Sequence, residues 1–155
     1  MKIAEQDILK QFTADKDLMT ILTMIRSLQL KESWLAAGSV RNFIWNYLSN
    51  QLGFDKETDV DVIFFDPAIS YEETLKIETK LKENHPNYNW ELKNQVYMHI
   101  HNPNTEPYRD SRDAMSKYPE RCTAIGLRLL DNDQLELFAP YGLDDILEFR
   151  IASTP

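Results

Sequence analysis

Two aspartates stand at the start of a predicted β-strand, in the stretch TDVDVIFFD at residues 58–66. The apolar residues around Asp59 and Asp61 predict the strand. Because alternate residues of a strand project from the same face, the two carboxylates would lie roughly 6 to 7 Å apart. They would repel each other unless a cation lay between them, which indicates a metal site. The alternative is that both acids only keep an exposed strand end soluble.

A candidate phosphate-binding site precedes the aspartates, where the predicted strand SWLAAG passes into a helix. Gly38 and Ser39 stand at this junction, and the start of a helix offers free backbone N–H groups at the positive end of its dipole. Glycine lets a ligand approach the backbone closely, the Ser39 hydroxyl can add a hydrogen bond, and Arg41 lies in the first helical turn. The alternative is an ordinary helix N-cap, for which Gly-Ser is also a common choice.

Together these two features have the layout needed for metal-assisted transfer of a nucleotidyl group. Two Mg²⁺ ions about 3.5 to 4 Å apart, held by shared carboxylates, can activate the attacking oxygen and neutralise the leaving pyrophosphate. The N–H groups of the helix would meanwhile hold the phosphates of an NTP. A third carboxylate would complete the site. The sequence therefore predicts an enzyme that acts on an NTP with Mg²⁺ or Mn²⁺ as the metal.

Helical and strand patterns along the chain predict which elements position these residues. The first thirty residues have helical spacing with two apolar faces, and Thr13 or Asp15 is the predicted cap between them. A further helix is predicted in YEETLKIETKLKEN, with Leu75 and Leu81 on its apolar face. Further helices are predicted in SVRNFIWNYLSNQL, SRDAMSKYP and YGLDDILEFRI, and strands in SWLAAG, DVDVIFF, WELKNQVYMHIH, CTAIGLRLL and QLELFAP. Helices and strands alternate early whereas strands neighbour one another late, so we expect an α+β fold with a mixed sheet and flanking helices.

Composition limits the class of protein. With 155 residues, 43% of them hydrophobic and 27% charged, the chain fits one domain at 1–155, with N-terminal helices at 1–30 and a core at 34–147. The net charge of −8 argues against broad binding to nucleic acid. The lone Cys122 is expected to be a small buried residue. The sequence contains neither an apolar run of membrane-spanning length nor a signal-peptide pattern, so a cytoplasmic protein is expected.

Several motifs resemble those of one enzyme superfamily. The segments WLAAGSVRNFIWNYL and DVDVIFF are similar to the head domain of the CCA-adding and poly(A) polymerase enzymes, which are DNA polymerase β-like nucleotidyltransferases. NWELKNQ resembles the later strand of those enzymes in which a Glu after an aromatic residue supplies the third metal-binding carboxylate. PERCTAIGLRLLDNDQLELFAPYGLDDIL resembles their segment that contains a hairpin. The chain is also similar over nearly its full length to a group of short bacterial nucleotidyltransferase-like proteins.

The resemblance implies a polymerase β-like nucleotidyltransferase fold and a set of site residues. The catalytic, metal-binding carboxylates would be Asp59, Asp61 and Glu91. The triphosphate of the NTP would be held by Gly38, Ser39 and Arg41. Lys93 shares the strand face of the third carboxylate. There it would neutralise phosphate, pair with a carboxylate or remain an ordinary exposed lysine.

Departures from the superfamily pattern affect what can be inferred about nucleotide selectivity and about the identity of the acceptor. Asn42 stands where those enzymes have Asp, and Glu120-Arg121 stands where they have Arg-Asp. Because that second region helps them hold the nucleotide, nucleotide selectivity does not carry over. The chain is acidic and lacks the helical domains that grip RNA in those enzymes, so tRNA is disfavoured as the acceptor. A small molecule, a protein hydroxyl and an RNA end remain open.

Two alternatives stand beside the Mg²⁺-dependent nucleotidyltransferase. On the same fold the chain would be a non-catalytic nucleotide- or metal-binding module whose role is to bind a partner. An ordinary metal hydrolase is also open, since MHIH puts His99 and His101 on one face of a predicted strand. Such a pair is more often structural, and a hydrolase would also need a carboxylate close to both rings.

Overall fold

The computed structural model describes residues 5–49, 53–101, 106–118, 120–148 and 154, with the backbone alone at 99–101 and 121. Its helices are α1 (Glu5–Ala14), α2 (Lys16–Ser27), α3 (Gly38–Leu48), α4 (Tyr71–Asn84), α5 (Ser111–Ser116) and α6 (Asp144–Leu147). Its strands are β1 (Trp34–Ala36), β2 (Asp59–Phe64), β3 (Asn89–Asn94), β4 (Gly126–Leu129) and β5 (Leu135–Phe138). The described residues also form 3₁₀ helices at Gln95–His101 and Arg121–Thr123.

The strands of the described residues form one mixed sheet in the order β3-β2-β1-β4-β5. β2 and β3 run parallel, whereas β1 pairs antiparallel with β2 and β4, and β4 pairs antiparallel with β5. A parallel pair needs a crossover connection, and α4 supplies it between β2 and β3. The predicted α+β class, with a mixed sheet and flanking helices, is confirmed.

Strand alternation gives the sheet a buried back face. In β2 the residues Val60, Val62 and Phe64 lie in the main core. The helices α1, α2 and α3 contribute apolar side chains to the same core, among them Phe12 of α1 and Ile44 of α3. Burial of such side chains contributes roughly 1.5 to 3 kcal/mol each. The three helices therefore fix β2 from behind.

The opposite face of the sheet carries the polar residues of β2, and we call it the front face. Asp59, Asp61 and Ile63 alternate with the core residues of β2 and therefore project from it. Helix α5 covers part of this face through Met115. The small cluster there consists of Trp34, Ala36, Ile63 and Met115. The front face is thus packed beside Ile63 and open beside the aspartates.

Side-chain caps fix where two of the helices begin. Asp15, one of the two predicted caps, accepts a hydrogen bond from the Leu18 amide at 3.0 Å, and its other carboxylate oxygen accepts one from the Phe54 amide at 3.2 Å. Ser70 and Glu73 form a capping box at the start of α4. Each cap satisfies N–H groups that a helix leaves unpaired, which is typically worth about 1 kcal/mol. Local sequence therefore sets the starts of α2 and α4.

Strand β3 ends at Asn94, although the strand pattern continues through WELKNQVYMHIH. The buried Asn94 side chain accepts a hydrogen bond from the Asp66 amide and donates to the carbonyl oxygens of Asp66 and Ile69, at distances between 2.8 and 3.2 Å. These bonds join the end of β3 to the turn after β2. There, hydrogen bonds of the Asn94 side chain take the place of the backbone hydrogen bonds between the parallel strands. The prediction of a longer strand is therefore wrong.

The 3₁₀ helix Gln95–His101 removes the geometric basis of the predicted histidine pair. The prediction needed a strand, in which alternate residues project from one face, and β3 ends at Asn94. The prediction of a histidine pair on one strand face is wrong for this reason. The side chains of both histidines lie outside the described residues.

Other predicted elements differ from the structure in extent. The pattern CTAIGLRLL forms a strand only at Gly126–Leu129. In α4 the prediction of an apolar face holds for Leu81, which is 5% exposed, and is wrong for Leu75, which is 44% exposed. Part of the predicted C-terminal helix, at 149–151, lies outside the described residues. Within the described ranges, no helix combines the length and the apolar character needed to cross a membrane.

Candidate active site

The strand register brings the sequence-predicted carboxylates to one place. β2 and β3 pair with Asp61 directly opposite Glu91 and Asp59 opposite Asn89. Adjacent strands lie about 4.8 Å apart, and the Asp61 and Glu91 side chains share a hydrogen bond. Asp59 precedes Asp61 by two residues and projects from the same face. The three carboxylates therefore share one corner of the front face, and we call them the acid cluster.

The acid cluster has little positive charge beside it. The pKa of Asp61 is raised to about 7, chiefly by burial and then by the hydrogen bond to Glu91 and the negative charges of Glu91 and Asp59. Lys93 opposes this shift, since its ammonium lies 3.8 Å from a carboxylate oxygen of Glu91. In the described part of the chain, no three His, Cys, Asp or Glu side chains already surround a common metal position. The excess of negative charge nevertheless favours a bound cation.

Helix α3 begins beside the acid cluster. Gly38 is its first residue, and a Cβ atom placed on Gly38 would lie 3.9 Å from a carboxylate oxygen of Asp61 and 3.6 Å from a guanidinium nitrogen of Arg41. The first amides of the helix, which carry partial positive charge, therefore open next to Asp61. A larger side chain at position 38 would fill the space between the carboxylate and the guanidinium.

The Ser39 hydroxyl is bonded to the backbone of β2. It donates to the carbonyl oxygen of Asp59 at 2.6 Å and accepts from the amide of Asp61 at 2.8 Å. The residue is only 2% exposed. This changes the role predicted from sequence, in which the hydroxyl adds a hydrogen bond to phosphate. In the structure the hydroxyl fixes the strand segment that carries both aspartates.

Arg41 is held beside Gly38 by neighbouring side chains. Its Nη1 atom lies 3.6 Å from a carboxylate oxygen of Glu120, and its Nε atom donates to the side-chain oxygen of Asn42 at 3.2 Å. The guanidinium lies over the Trp45 ring, 4.6 Å from its centroid. Asn42 and Glu120 both occupy positions that depart from the superfamily pattern. The negative charge beside Arg41 therefore comes from Glu120 instead of from residue 42.

Ala37, the residue before α3, has a strained backbone. Its φ of 57° and ψ of −131° lie in a region that residues with a Cβ atom rarely adopt. Its amide donates to the carbonyl oxygen of Ile125 at 2.9 Å, and its carbonyl oxygen accepts from the amides of Val40 and Arg41, both at 3.1 Å. These bonds hold the strained turn that brings the start of α3 to the acid cluster.

We expect Ala37→Gly to raise the free energy of unfolding by about 1 kcal/mol. Glycine avoids a strain of roughly 1 to 3 kcal/mol, although the greater freedom of its unfolded chain removes about 0.5 to 1 kcal/mol of that gain. Denaturant unfolding measures the change. Ala36→Gly is the matched control, because Ala36 lies in β1 with ordinary strand geometry, and it should destabilise the protein. Equal losses at both positions would contradict the strain at Ala37.

We expect Asp61→Asn to stabilise the metal-free protein, and more at pH 8 than at pH 5. Because the pKa of Asp61 is raised in the folded protein, the fold keeps a proton that the unfolded chain releases above about pH 4, so wild-type stability falls as the pH rises towards about 7. Asparagine does not titrate and removes this loss. Urea unfolding with a chelator should show a gain of about 1 to 2 kcal/mol at pH 8. Asp131→Asn, at an exposed site, should show no such pH dependence.

An open cavity of about 430 Å³ adjoins the acid cluster on the front face. It is lined by Ala36, Ala37, Asp61, Ile63, Lys93, Gln95, Met98, Tyr108, Tyr118 and Thr123. Sequence reasoning did not assign Gln95, Tyr108 or Tyr118 to the site. They belong to segments that follow β3, whose place over the sheet is set by tertiary packing. Gln95 ends the motif NWELKNQ, whereas no motif marks Tyr108 or Tyr118.

Comparison with known proteins identifies the family. A family model described as "Nucleotidyltransferase" matches residues 23–155, a range that contains the acid cluster, the start of α3 and the cavity. The chain belongs to this family. No curated protein matches it at a significant level.

A solved structure agrees with this nucleotidyltransferase assignment. An NMR structure described as revealing "a CCA-adding enzyme head domain" is 64% identical, with a TM-score of 0.93, and the match covers 98% of this chain and 80% of that one. A structure described as "tRNA-processing enzyme complex 3" is 15% identical, with a TM-score of 0.53, and covers 86% of this chain and 35% of that one. The second likeness shows the fold alone. The predicted resemblance to the head domain of CCA-adding enzymes is confirmed.

Proposed function

We propose that this nucleotidyltransferase moves a nucleotidyl group from an NTP to an acceptor hydroxyl in a Mg²⁺-dependent reaction. The observation that carries the proposal is that Asp61 and Glu91 stand opposite each other on parallel strands, beside Gly38 at the start of α3. Carboxylates for a metal and a helix end for phosphate are thus within reach of one triphosphate. The proposed catalytic and metal-binding residues are Asp59, Asp61 and Glu91.

The donor set of the acid cluster fits Mg²⁺. This ion prefers oxygen ligands and is commonly bound through one or two carboxylates together with water and substrate phosphates. Asp61 and Glu91 meet that requirement, with Asp59 on the same face, and Mn²⁺ accepts the same ligands. When bound, the metal would lower the cost of the negative charge that develops on the attacking and leaving oxygens.

The start of α3 is the proposed binding site for the triphosphate. The Gly38 and Ser39 amides would donate to phosphate oxygens, because the next two amides, of Val40 and Arg41, already donate to the Ala37 carbonyl oxygen. Arg41 adds a cation that Glu120 keeps in position, and Lys93 adds a second one at the edge of the acid cluster. The Ser39 hydroxyl contributes indirectly, because it holds the backbone of β2.

Binding of nucleotide is the first test of the proposed function. Thermal unfolding is measured with each of the four NTPs and either Mg²⁺ or Mn²⁺. A ligand at a hundred times its Kd should add about 2.7 kcal/mol of stability. Transfer is then measured with NTPs labelled on the α-phosphate, to any acceptor or to water. No stabilisation by any NTP would overturn the proposal, and stabilisation without transfer would support the non-catalytic module.

A further inference from the structure

We propose that the cavity beside the acid cluster binds the acceptor, and that the acceptor is a small ring-bearing alcohol. This inference rests on the proposed function and names its substrate class. The cavity volume of about 430 Å³ lies at the small end of the range for small-molecule sites. Apolar side chains make up much of its lining, and the two tyrosine rings suit contact with a flat ring. These residues are Ala36, Ile63, Met98, Tyr108 and Tyr118.

The position of the cavity relative to α3 assigns it to the acceptor. β1 runs antiparallel to β2 with Leu35 opposite Val62, so the chain leaves β1 at the Asp59 end of β2 and α3 begins there. The cavity lining runs from Ala37, next to the start of α3, past Asp61 to Ile63 and to residues after β3, so the far part of the cavity lies beyond Asp61. Attacking and leaving oxygens lie roughly in line on opposite sides of the phosphorus. If pyrophosphate leaves on the side of the phosphorus that faces α3, the acceptor hydroxyl must attack from the opposite side. The far part of the cavity lies on that side.

A buried amide in the cavity lining indicates that the acceptor has a hydrogen-bonding edge. Gln95 is 2% exposed. Its Nε2 atom donates to the Lys93 carbonyl oxygen, and its Oε1 atom accepts from the Tyr118 hydroxyl, both at 3.4 Å. An amide has two donor hydrogens and two acceptor lone pairs, so these two long bonds, the ones found among the described residues, use about half of its capacity. A polar ring substituent would use the rest.

Charge favours a neutral or cationic acceptor over a nucleic acid. A polyanion would have to bring its phosphates past the acid cluster, on a chain whose net charge is −8. Lys93 is the one cation among the described residues that line the cavity, and its ammonium lies 3.8 Å from a carboxylate oxygen of Glu91. The cavity, which Tyr108 and Tyr118 help to line, is also small for a polymer, at about 430 Å³. A compact alcohol of one or two rings meets neither obstacle.

The proposed step is an in-line displacement at the α-phosphorus of the NTP. The acceptor oxygen forms a bond to this phosphorus, while the bond from the phosphorus to the oxygen that bridges to the β-phosphorus breaks. Pyrophosphate leaves with that electron pair. The hydroxyl proton passes to a carboxylate of the acid cluster and then to solvent. The products are a phosphodiester of the alcohol and pyrophosphate.

The test uses the low-molecular-weight filtrate and the macromolecular retentate of a cell extract, each incubated with the protein, Mg²⁺ and α-labelled ATP, GTP, CTP or UTP. We expect labelled product from the filtrate.

Met98→Trp should narrow the cavity and lower this transfer at least tenfold, while stabilisation by NTP and Mg²⁺ stays at the wild-type level. Gln95→Leu, which keeps the cavity but removes the amide, should also lower it. Thr20→Trp adds bulk at an exposed site on α2, behind the sheet, and should have no effect.

Three results would overturn the inference while leaving the proposed function intact. Label found only in the retentate would make the acceptor a macromolecule. Wild-type transfer by both cavity variants would remove the cavity from the reaction. Loss of NTP binding in Met98→Trp would show that the cavity holds the base of the donor. If the wild type neither binds NTP nor transfers label, the proposed function itself fails, and the inference with it.

Discussion

Asp61→Asn and Glu91→Gln are each expected to lower nucleotidyl transfer by at least about 100-fold, the scale at which lost electrostatic stabilisation of a transition state acts. Both substitutions keep the side-chain size and remove one negative charge from the acid cluster. The two residues face each other across the parallel pair, so either change removes half of the closest pair of metal-binding carboxylates. Initial rates of label transfer at saturating NTP and Mg²⁺ measure the loss, and isothermal titration measures the accompanying fall in Mg²⁺ affinity.

A control variant must distinguish the loss of an acid-cluster carboxylate from the loss of a negative charge elsewhere on the protein. Asp131→Asn removes a charge at an exposed position outside the acid cluster and should retain wild-type transfer. Far-ultraviolet circular dichroism of all variants checks that the fold persists. Should Asp59→Asn, Asp61→Asn and Glu91→Gln all keep wild-type transfer and Mg²⁺ binding, the acid cluster is only a polar strand end and the proposed function is mistaken.

Ser39→Ala is expected to destabilise the protein by about 1 to 3 kcal/mol and to lower kcat at least tenfold. The change leaves the Asp59 carbonyl oxygen and the Asp61 amide without the hydroxyl that joins them to α3, and an unsatisfied buried polar group costs about that much. The backbone that carries both aspartates can then shift, and small displacements at a reaction centre strongly reduce rates. The first amides of α3 remain, so the KM for NTP should change less than kcat.

The kinetic parameters distinguish this role from direct contact with phosphate. If Ser39→Ala raises only the KM for NTP, with kcat and stability unchanged, the hydroxyl acts on the substrate and not on the strand. Ser27→Ala is a matched control, since the Ser27 hydroxyl also donates to a backbone carbonyl oxygen, that of Met24, at 2.7 Å, but at an exposed helix end. It should change stability by no more than about 0.5 kcal/mol.

Local pattern was sufficient for the elements that carry the site. Alternating burial along β2 follows from its sequence, because period-2 spacing puts Asp59 and Asp61 on one face and apolar residues on the other. The start of α3 at Gly38 follows from the sequence as well, because the short apolar run of β1 gives way there to apolar residues at helical spacing. Glu91 is different. Its position beside Asp61 depends on the register between two strands joined by a helix, which periodicity does not fix, and the sequence indicated it only through the resemblance to polymerases.

Sequence alone therefore determined the element types, the polar face of β2, the helix start for phosphate and the superfamily. Only the tertiary structure decided what those residues touch. Ser39 bonds to β2, Arg41 pairs with Glu120, and Asn94 ends β3. The same holds for the cavity, whose lining comes from β1, β2, β3 and the segments after them. The physical reason is that each contact joins positions far apart in the chain. Strand pairing and core packing set such distances, and no short stretch of sequence encodes them.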